Sequence, residues 1–189
     1  MGTQGESKGM SKGMSLAYED VAAMVRAGTP VSADSRTVAP GGVFVAVKGA
    51  SEDGTRYVPA AVEAGARTVV AAGGAVDGAL ADLLARAGCR LALVPDTRLA
   101  LSELACAQSG TDRLPLSVVA VTGTNGKTTC AYLLERLWQS LGKKVGVMGT
   151  VSYRWPGHCQ PAPLTTPDPV SVHRNLEAMA KAGCEICIM

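Results

Sequence analysis

Thr122-Gly123-Thr124-Asn125-Gly126-Lys127-Thr128-Thr129 is the stretch whose residue types and spacing could do chemistry. Gly123 and Gly126 carry no Cβ, so the backbone can turn tightly and aim successive N–H groups at phosphate oxygens. Lys127 follows at once and puts an ammonium beside the β- and γ-phosphates of a nucleotide. The hydroxyl of Thr128 or Thr129 suits Mg2+, a cation that takes oxygen ligands. The octet reads as a nucleoside triphosphate site, with Lys127 the candidate catalytic residue, Thr128 the metal ligand, and Gly123, Thr124, Asn125 and Gly126 the phosphate cradle.

Such a loop must be held between a strand and a helix. Ser117 to Val121 is a continuous apolar run of strand length, the pattern of a strand buried on both faces of a parallel sheet. Lys127 to Leu141 is expected to be a helix ended by Gly142, its positive end adding to the anion site. Leu133, Leu134, Leu137 and Leu141 recur at core-facing spacing along it. The full P-loop pattern asks for glycine at position 121, where this chain has Val121, so the signal is Gly-x-x-Gly-Lys-Thr. A glycine-rich turn with a chance Gly-Lys-Thr is the plain alternative, and the flanking strand and helix argue against it.

The rest of the chain supplies the scaffold. With 189 residues and 47% hydrophobic content it can bury a core, and the length fits two small domains. Residues 1–14 are rich in Gly, Ser, Lys and Met without periodicity and are expected to be disordered. A helix is expected from Ser15, as N-cap, to Gly28, with strands at 43–47, 68–72 and 91–94. Helices are expected at 57–64, 78–87 and 97–108. This alternation is that of an α/β layer domain over residues 15–109. Residues 110–116, with Gly, Asp and Pro, read as a linker. Residues 117–189 then begin a parallel-sheet nucleotide domain, with a strand at 145–148, a helix at 170–182 and a third strand at 184–189.

Composition removes several function classes. A net charge of +2 and 4% aromatic residues give no basic or base-stacking surface for nucleic acid. No apolar run is long enough to span a bilayer and the N-terminus lacks a signal-peptide core, so no membrane insertion and a cytoplasmic location are expected. Cys184 and Cys187 have Cys-x-x-Cys spacing but lie in a strand-like run with no second ligand pair, and read as small buried hydrophobes. Trp138 reads as a packing residue, and His158 and His173 as solvated or packed side chains and not as a base or ligand.

The octet Thr122 to Thr129 resembles the ATP loop of the Mur ligases, the cytoplasmic enzymes that add amino acids to the UDP-N-acetylmuramoyl precursor of peptidoglycan. Folylpolyglutamate and cyanophycin synthetases have similar loops, so the flanks must choose the member. Asp34-Ser35-Arg36, Pro40-Gly41-Gly42-Val43-Phe44-Val45-Ala46, Asp53-Gly54 and Tyr57-Val58-Pro59-Ala60-Ala61 are similar to the N-terminal domain of MurE and MurF ligases. Gly149-Thr150-Val151-Ser152-Tyr153-Arg154 and Leu164-Thr165-Thr166-Pro167-Asp168-Pro169 resemble MurE-type members more closely. The resemblance implies a small UDP-binding α/β domain followed by the start of a P-loop-type ATP domain, ATP and Mg2+ as cofactors, and an acyl-phosphate ligation. It also implies a UDP-N-acetylmuramoyl-dipeptide and a diamino acid, meso-diaminopimelate or L-lysine, as substrates, and a monomer.

By matching position, the resemblance assigns Ser35 and the loop Ala50, Ser51 and Glu52 to the uridine end, and Thr165 and Thr166 to the muramoyl peptide. From residue types alone, Asp34-Ser35-Arg36 could be an Asx-type surface turn, and the paired threonines the N-cap of the next helix. The relatives continue past this point with further metal contacts, a carbamylated lysine and an amino-acid-binding domain. The chain therefore reads as an N-terminal portion, expected not to ligate by itself and to leave its last strand as an unpaired edge.

Overall fold

The computed structural model describes residues 14–49 and 53–189. Residues 1–13 of the segment expected to be disordered, and the three loop residues Ala50, Ser51 and Glu52, lie outside the described residues. The chain divides into two compact units between Gln108 and Ser109.

In the first unit β1 (Val31–Ser32), β2 (Val43–Val45), β3 (Thr68–Ala72) and β4 (Arg90–Val94) form a sheet in that order, every pair parallel. Helices α1 (Tyr18–Arg26), α2 (Val58–Glu63), α3 (Gly78–Arg86) and α4 (Thr97–Ser109) alternate with the strands. Parallel strands need such crossovers, and helices on the sheet faces bury both sides, which explains the unbroken apolar runs of β2 and β3. Phe44, Val69 and Leu91 pack with Val58, Ala61 and Leu84 in one core. Asp77 caps α3 by accepting the Leu80 N–H at 2.8 Å, and Pro59 occupies the first turn of α2, where a missing N–H costs nothing.

The start of this unit differs from the expectation. Ser15 does not cap α1; it makes a parallel bridge to Leu91, and the helix begins at Tyr18 after Ala17 with no side-chain cap. Met14 is buried, and its carbonyl accepts the Leu91 N–H at 2.8 Å. The unpaired flank of β4 takes up the chain before the helix starts, so backbone pairing overrides the capping preference of serine.

The second unit contains β5 (Ser117–Val119), α5 (Lys127–Ser140), β6 (Val145–Met148), β7 (Ser152–Trp155), β8 (His158–Pro161), α6 (Pro169–Lys181) and β9 (Ile186–Ile188). The strand order is β5-β9-β6-β7-β8, with β5, β9 and β6 parallel and β7 and β8 attached as an antiparallel hairpin. Two expectations are corrected here. The last strand is not an edge: Cys187 pairs with Val118 on one side and Gly146 on the other. The edges are β5 and β8, and in β5 Ser117 and Val118 are exposed although they read as a strand buried on both faces.

The leucines of α5 correct a third. The helix sets Ala131, Leu134 and Trp138 against Val145, Val147, Ile186 and Ile188. Leu133, Leu137 and Leu141 lie on a flank of the helix and are 65%, 53% and 62% exposed. Their spacing is helical, but spacing alone does not choose the flank that meets the sheet. Cys184 and Cys187 are buried and unpaired as small hydrophobes, and burial pushes the Cys187 thiol up to about 12.

Candidate functional site

The phosphate-type loop leaves the sheet at Val121, whose N–H donates to the Met189 carbonyl at 2.6 Å. Gly123 and Gly126 have φ of 144° and 79°, in the region that side chains with a Cβ avoid. Gly126 is the N-cap of α5 and offers no side-chain acceptor. The first-turn N–H groups of the helix are therefore left for an anion, with the dipole favouring negative charge. The Lys127 ammonium folds back over the loop, donating to the carbonyl of Gly123 and, at 3.4 Å, to that of Thr124.

Lys127 and Thr128 face a cavity of about 290 Å3 together with Gly123, Thr165 and Thr166. Thr124, Asn125, Gly126 and Thr129 are exposed in the loop and first helical turn and are not part of its wall. The Thr128 hydroxyl lies 2.7 Å from that of Thr150, a lining residue that follows β6. The loop carrying Thr165 and Thr166 is tied to β7 by the buried Tyr153, whose hydroxyl donates to the Leu164 carbonyl. These threonines do not cap α6. Asp168 does, accepting the Ser171 N–H at 3.1 Å, and both threonines remain exposed at the cavity.

Sequence reasoning passed over Thr150 as a site residue, together with Tyr132 and Arg154, which also line this cavity. Both Thr150 and Arg154 lie in the Gly149 to Arg154 run that carries the family resemblance, but the run by itself gives neither a role. The place of Arg154 depends on the β7–β8 hairpin, which its residue pattern does not announce. In β7, Tyr153 turns to the core while Ser152 and Arg154 alternate to the other face. Arg154 pairs there with Glu135 of α5, the Nε donating to Oε1 at 3.1 Å.

Ser35 belongs to the first unit, at the start of a 3-10 turn over Ser35–Thr37. Asp34 forms an Asx turn there, accepting the Arg36 N–H at 3.0 Å, and pairs with the Arg36 side chain. Hydrogen bonds from Arg36, first its guanidinium and then its N–H, hold the Asp34 carboxyl at about 2. Beside the loop expected to hold the uridine end, Asp53 accepts from the N–H and hydroxyl of Thr55 at 2.9 and 2.7 Å, and Lys48 and Asp53 form an antiparallel bridge. Both histidines are packing residues: His158 stacks on Trp155 at 3.9 Å, and His173 bonds the Thr111 hydroxyl at 2.6 Å. Among the described residues no group of three or more His, Cys, Asp or Glu is placed to hold a metal.

Comparison with known proteins adds to this geometry. Residues 29–109 match the family model described as "Mur ligase family, catalytic domain", and residues 121–189 that described as "Mur ligase middle domain". Over 157 residues the chain is 41% identical to the UDP-N-acetylmuramoyl-L-alanyl-D-glutamate--2,6-diaminopimelate ligase of Lawsonia intracellularis, covering 82% of this chain and 31% of that one. A solved structure of a ligase of the same name matches with a TM-score of 0.65 at 27% identity, over 84% of this chain and 31% of the other. The MurF ligase of Thermotoga maritima in complex with ADP matches with a TM-score of 0.52 at 26% identity, over 86% of this chain and 32% of the other. The chain thus spans about a third of the length of these relatives. The two family models cover nearly all of the chain outside its N-terminal segment and the join between the units, and with them this chain belongs to the Mur ligase family.

Proposed function

We propose that this chain is the portion of an ATP-dependent ligase that binds the nucleotide and the uridine-linked substrate. The whole enzyme joins a diamino acid, 2,6-diaminopimelate or L-lysine, to UDP-N-acetylmuramoyl-L-alanyl-D-glutamate in peptidoglycan precursor synthesis. The observation that carries this reading is the single cavity that holds Lys127 and Thr128 together with Thr165 and Thr166. A ligase of this kind must bring a terminal phosphate and a substrate carboxylate to one place, and a cation beside paired hydroxyls suits that meeting.

In this mechanism the N–H groups of Gly123, Thr124, Asn125 and Gly126 cradle the phosphates. Lys127 leaves its loop carbonyls to neutralise charge that develops on them. The substrate's γ-carboxylate becomes an acyl phosphate as the bond to the departing nucleoside diphosphate breaks, and the incoming amine then attacks the acyl carbon and releases phosphate. Thr165 and Thr166 orient the peptide end, while Ser35 and the loop of Ala50, Ser51 and Glu52 hold the uridine end. The donor set fits Mg2+, a hard cation that takes oxygen ligands: the Thr128 hydroxyl would hold it, with Thr129 next to it in the same helical turn. When bound, the ion offsets phosphate charge. The same reading gives a monomer working in the cytoplasm, and among the described residues no helix is long and apolar enough to cross a membrane.

Isothermal titration with UDP-N-acetylmuramoyl-L-alanyl-D-glutamate tests the assignment, run beside a Ser35→Ala, Thr165→Ala double variant. Saturable binding that the variant weakens by about 1–3 kcal/mol, the scale for removing hydrogen-bond partners, supports it. A folded chain that binds no substrate contradicts it.

A further inference from the structure

Arg154 lines the cavity, yet its donors are already engaged. Nε and Nη2 meet the two carboxylate oxygens of Glu135, Nη1 donates to the Ser152 hydroxyl at 2.8 Å, and the guanidinium lies 4.6 Å from the centre of the Tyr132 ring. The paired side chains are only 19% and 12% exposed. A two-pronged pair of this kind fixes rotation as well as distance, which a single-point contact does not. It also joins two elements: Glu135 lies two turns along α5 from Thr128, and Arg154 lies on β7, directly after the turn that carries Thr150. That turn is closed by the Gly149 N–H donating to the Ser152 carbonyl at 3.2 Å.

The consequence falls on the Thr128 hydroxyl. A hydroxyl that ligates a cation does so through an oxygen lone pair, and its proton must then go to an acceptor elsewhere. Thr150 Oγ1 is 2.7 Å away and can accept it. Loss of a group that orients a metal ligand from behind in this way typically costs about 10–100-fold in metal affinity.

We propose that Arg154 is a positioning residue: its pair with Glu135 locks the β6–β7 turn onto α5, holds Thr150 as the hydrogen-bond acceptor of the Thr128 hydroxyl, and thereby sets the divalent-cation dependence of nucleotide binding. This rests on the nucleotide reading of the same cavity.

The test is binding of a fluorescent ATP analogue with and without Mg2+, paired with thermal melting. Thr150→Val and Arg154→Met should each cost about 10–100-fold of the Mg2+-dependent gain in affinity, well beyond what either costs metal-free binding. Thr150→Ser should keep the gain, and the exchange Glu135→Arg with Arg154→Glu should recover part of what Arg154→Met loses. A pair that serves stability alone would lower the melting temperature and both affinities together, which overturns the proposal. So does a folded Thr150→Val chain with the wild-type Mg2+ dependence. A wild-type chain that binds the analogue in neither condition overturns the nucleotide reading, and this inference with it.

Discussion

Asp168 accepts the N–H of Ser171 at 3.1 Å, and this one contact separates the capping of α6 from the threonine pair that precedes it. Replacing Asp168 with Ala should therefore cost about 0.5–2 kcal/mol of stability, the range for losing an N-cap acceptor. Thr165→Ala and Thr166→Ala, at exposed positions, should stay within about 0.5 kcal/mol of wild type. Urea unfolding of the three variants checks this, and a threonine variant as unstable as Asp168→Ala would return the capping role to the pair.

The α5 leucines separate helical spacing from burial. Leu137→Gln should change stability by less than about 0.5 kcal/mol, because the side chain is mostly in solvent. Leu84→Ala, at a fully buried position of the first unit, should cost about 2–5 kcal/mol through lost burial and the cavity left behind. Denaturant titration of both variants gives the comparison, and a large loss from Leu137→Gln would mean that the flank is covered.

His173 makes the second unit acid-sensitive. Burial holds its pKa below the ordinary value of 6.5, so the unfolded chain binds this proton more readily than the folded one. Its contribution is complete above pH 6.5 and is lost as the pH falls from there through the lowered folded value. Unfolding midpoints between pH 8 and pH 5.5 should thus fall more for the wild type than for His173→Gln. Equal slopes would remove His173 as a cause.

Much of the first unit was legible because its elements are simple. Thr68 to Ala72 is a β-branched apolar run and forms a strand with those bounds, and Pro59 sits in the helical turn that suits it. The turn before α5 was legible because Gly123 and Gly126 stand between an apolar run and a helical one, and both glycines take positive φ. What local sequence did not carry was order across the sheet. That β9 inserts between β5 and β6 is a property of the fold, and it turned the expected edge into an interior strand and left β5, with the exposed Val118, at the edge. The β7–β8 hairpin was missed because Ser152–Trp155 and His158–Pro161 mix charged, polar and aromatic residues without a clean apolar alternation. Arg154 was missed with it, since only the pairing of β7 with β6 brings it to Glu135.

The most direct test of the central claim, that the cavity at the head of α5 receives the phosphates of a nucleotide, is titration calorimetry with magnesium-ATP on the wild-type chain and on Lys127→Ala. The account predicts saturable wild-type binding and a loss of about 1.5–3 kcal/mol in the variant, the range for a hydrogen bond to a charged group. Equal binding by a folded Lys127→Ala chain, or none by a folded wild type, would contradict it.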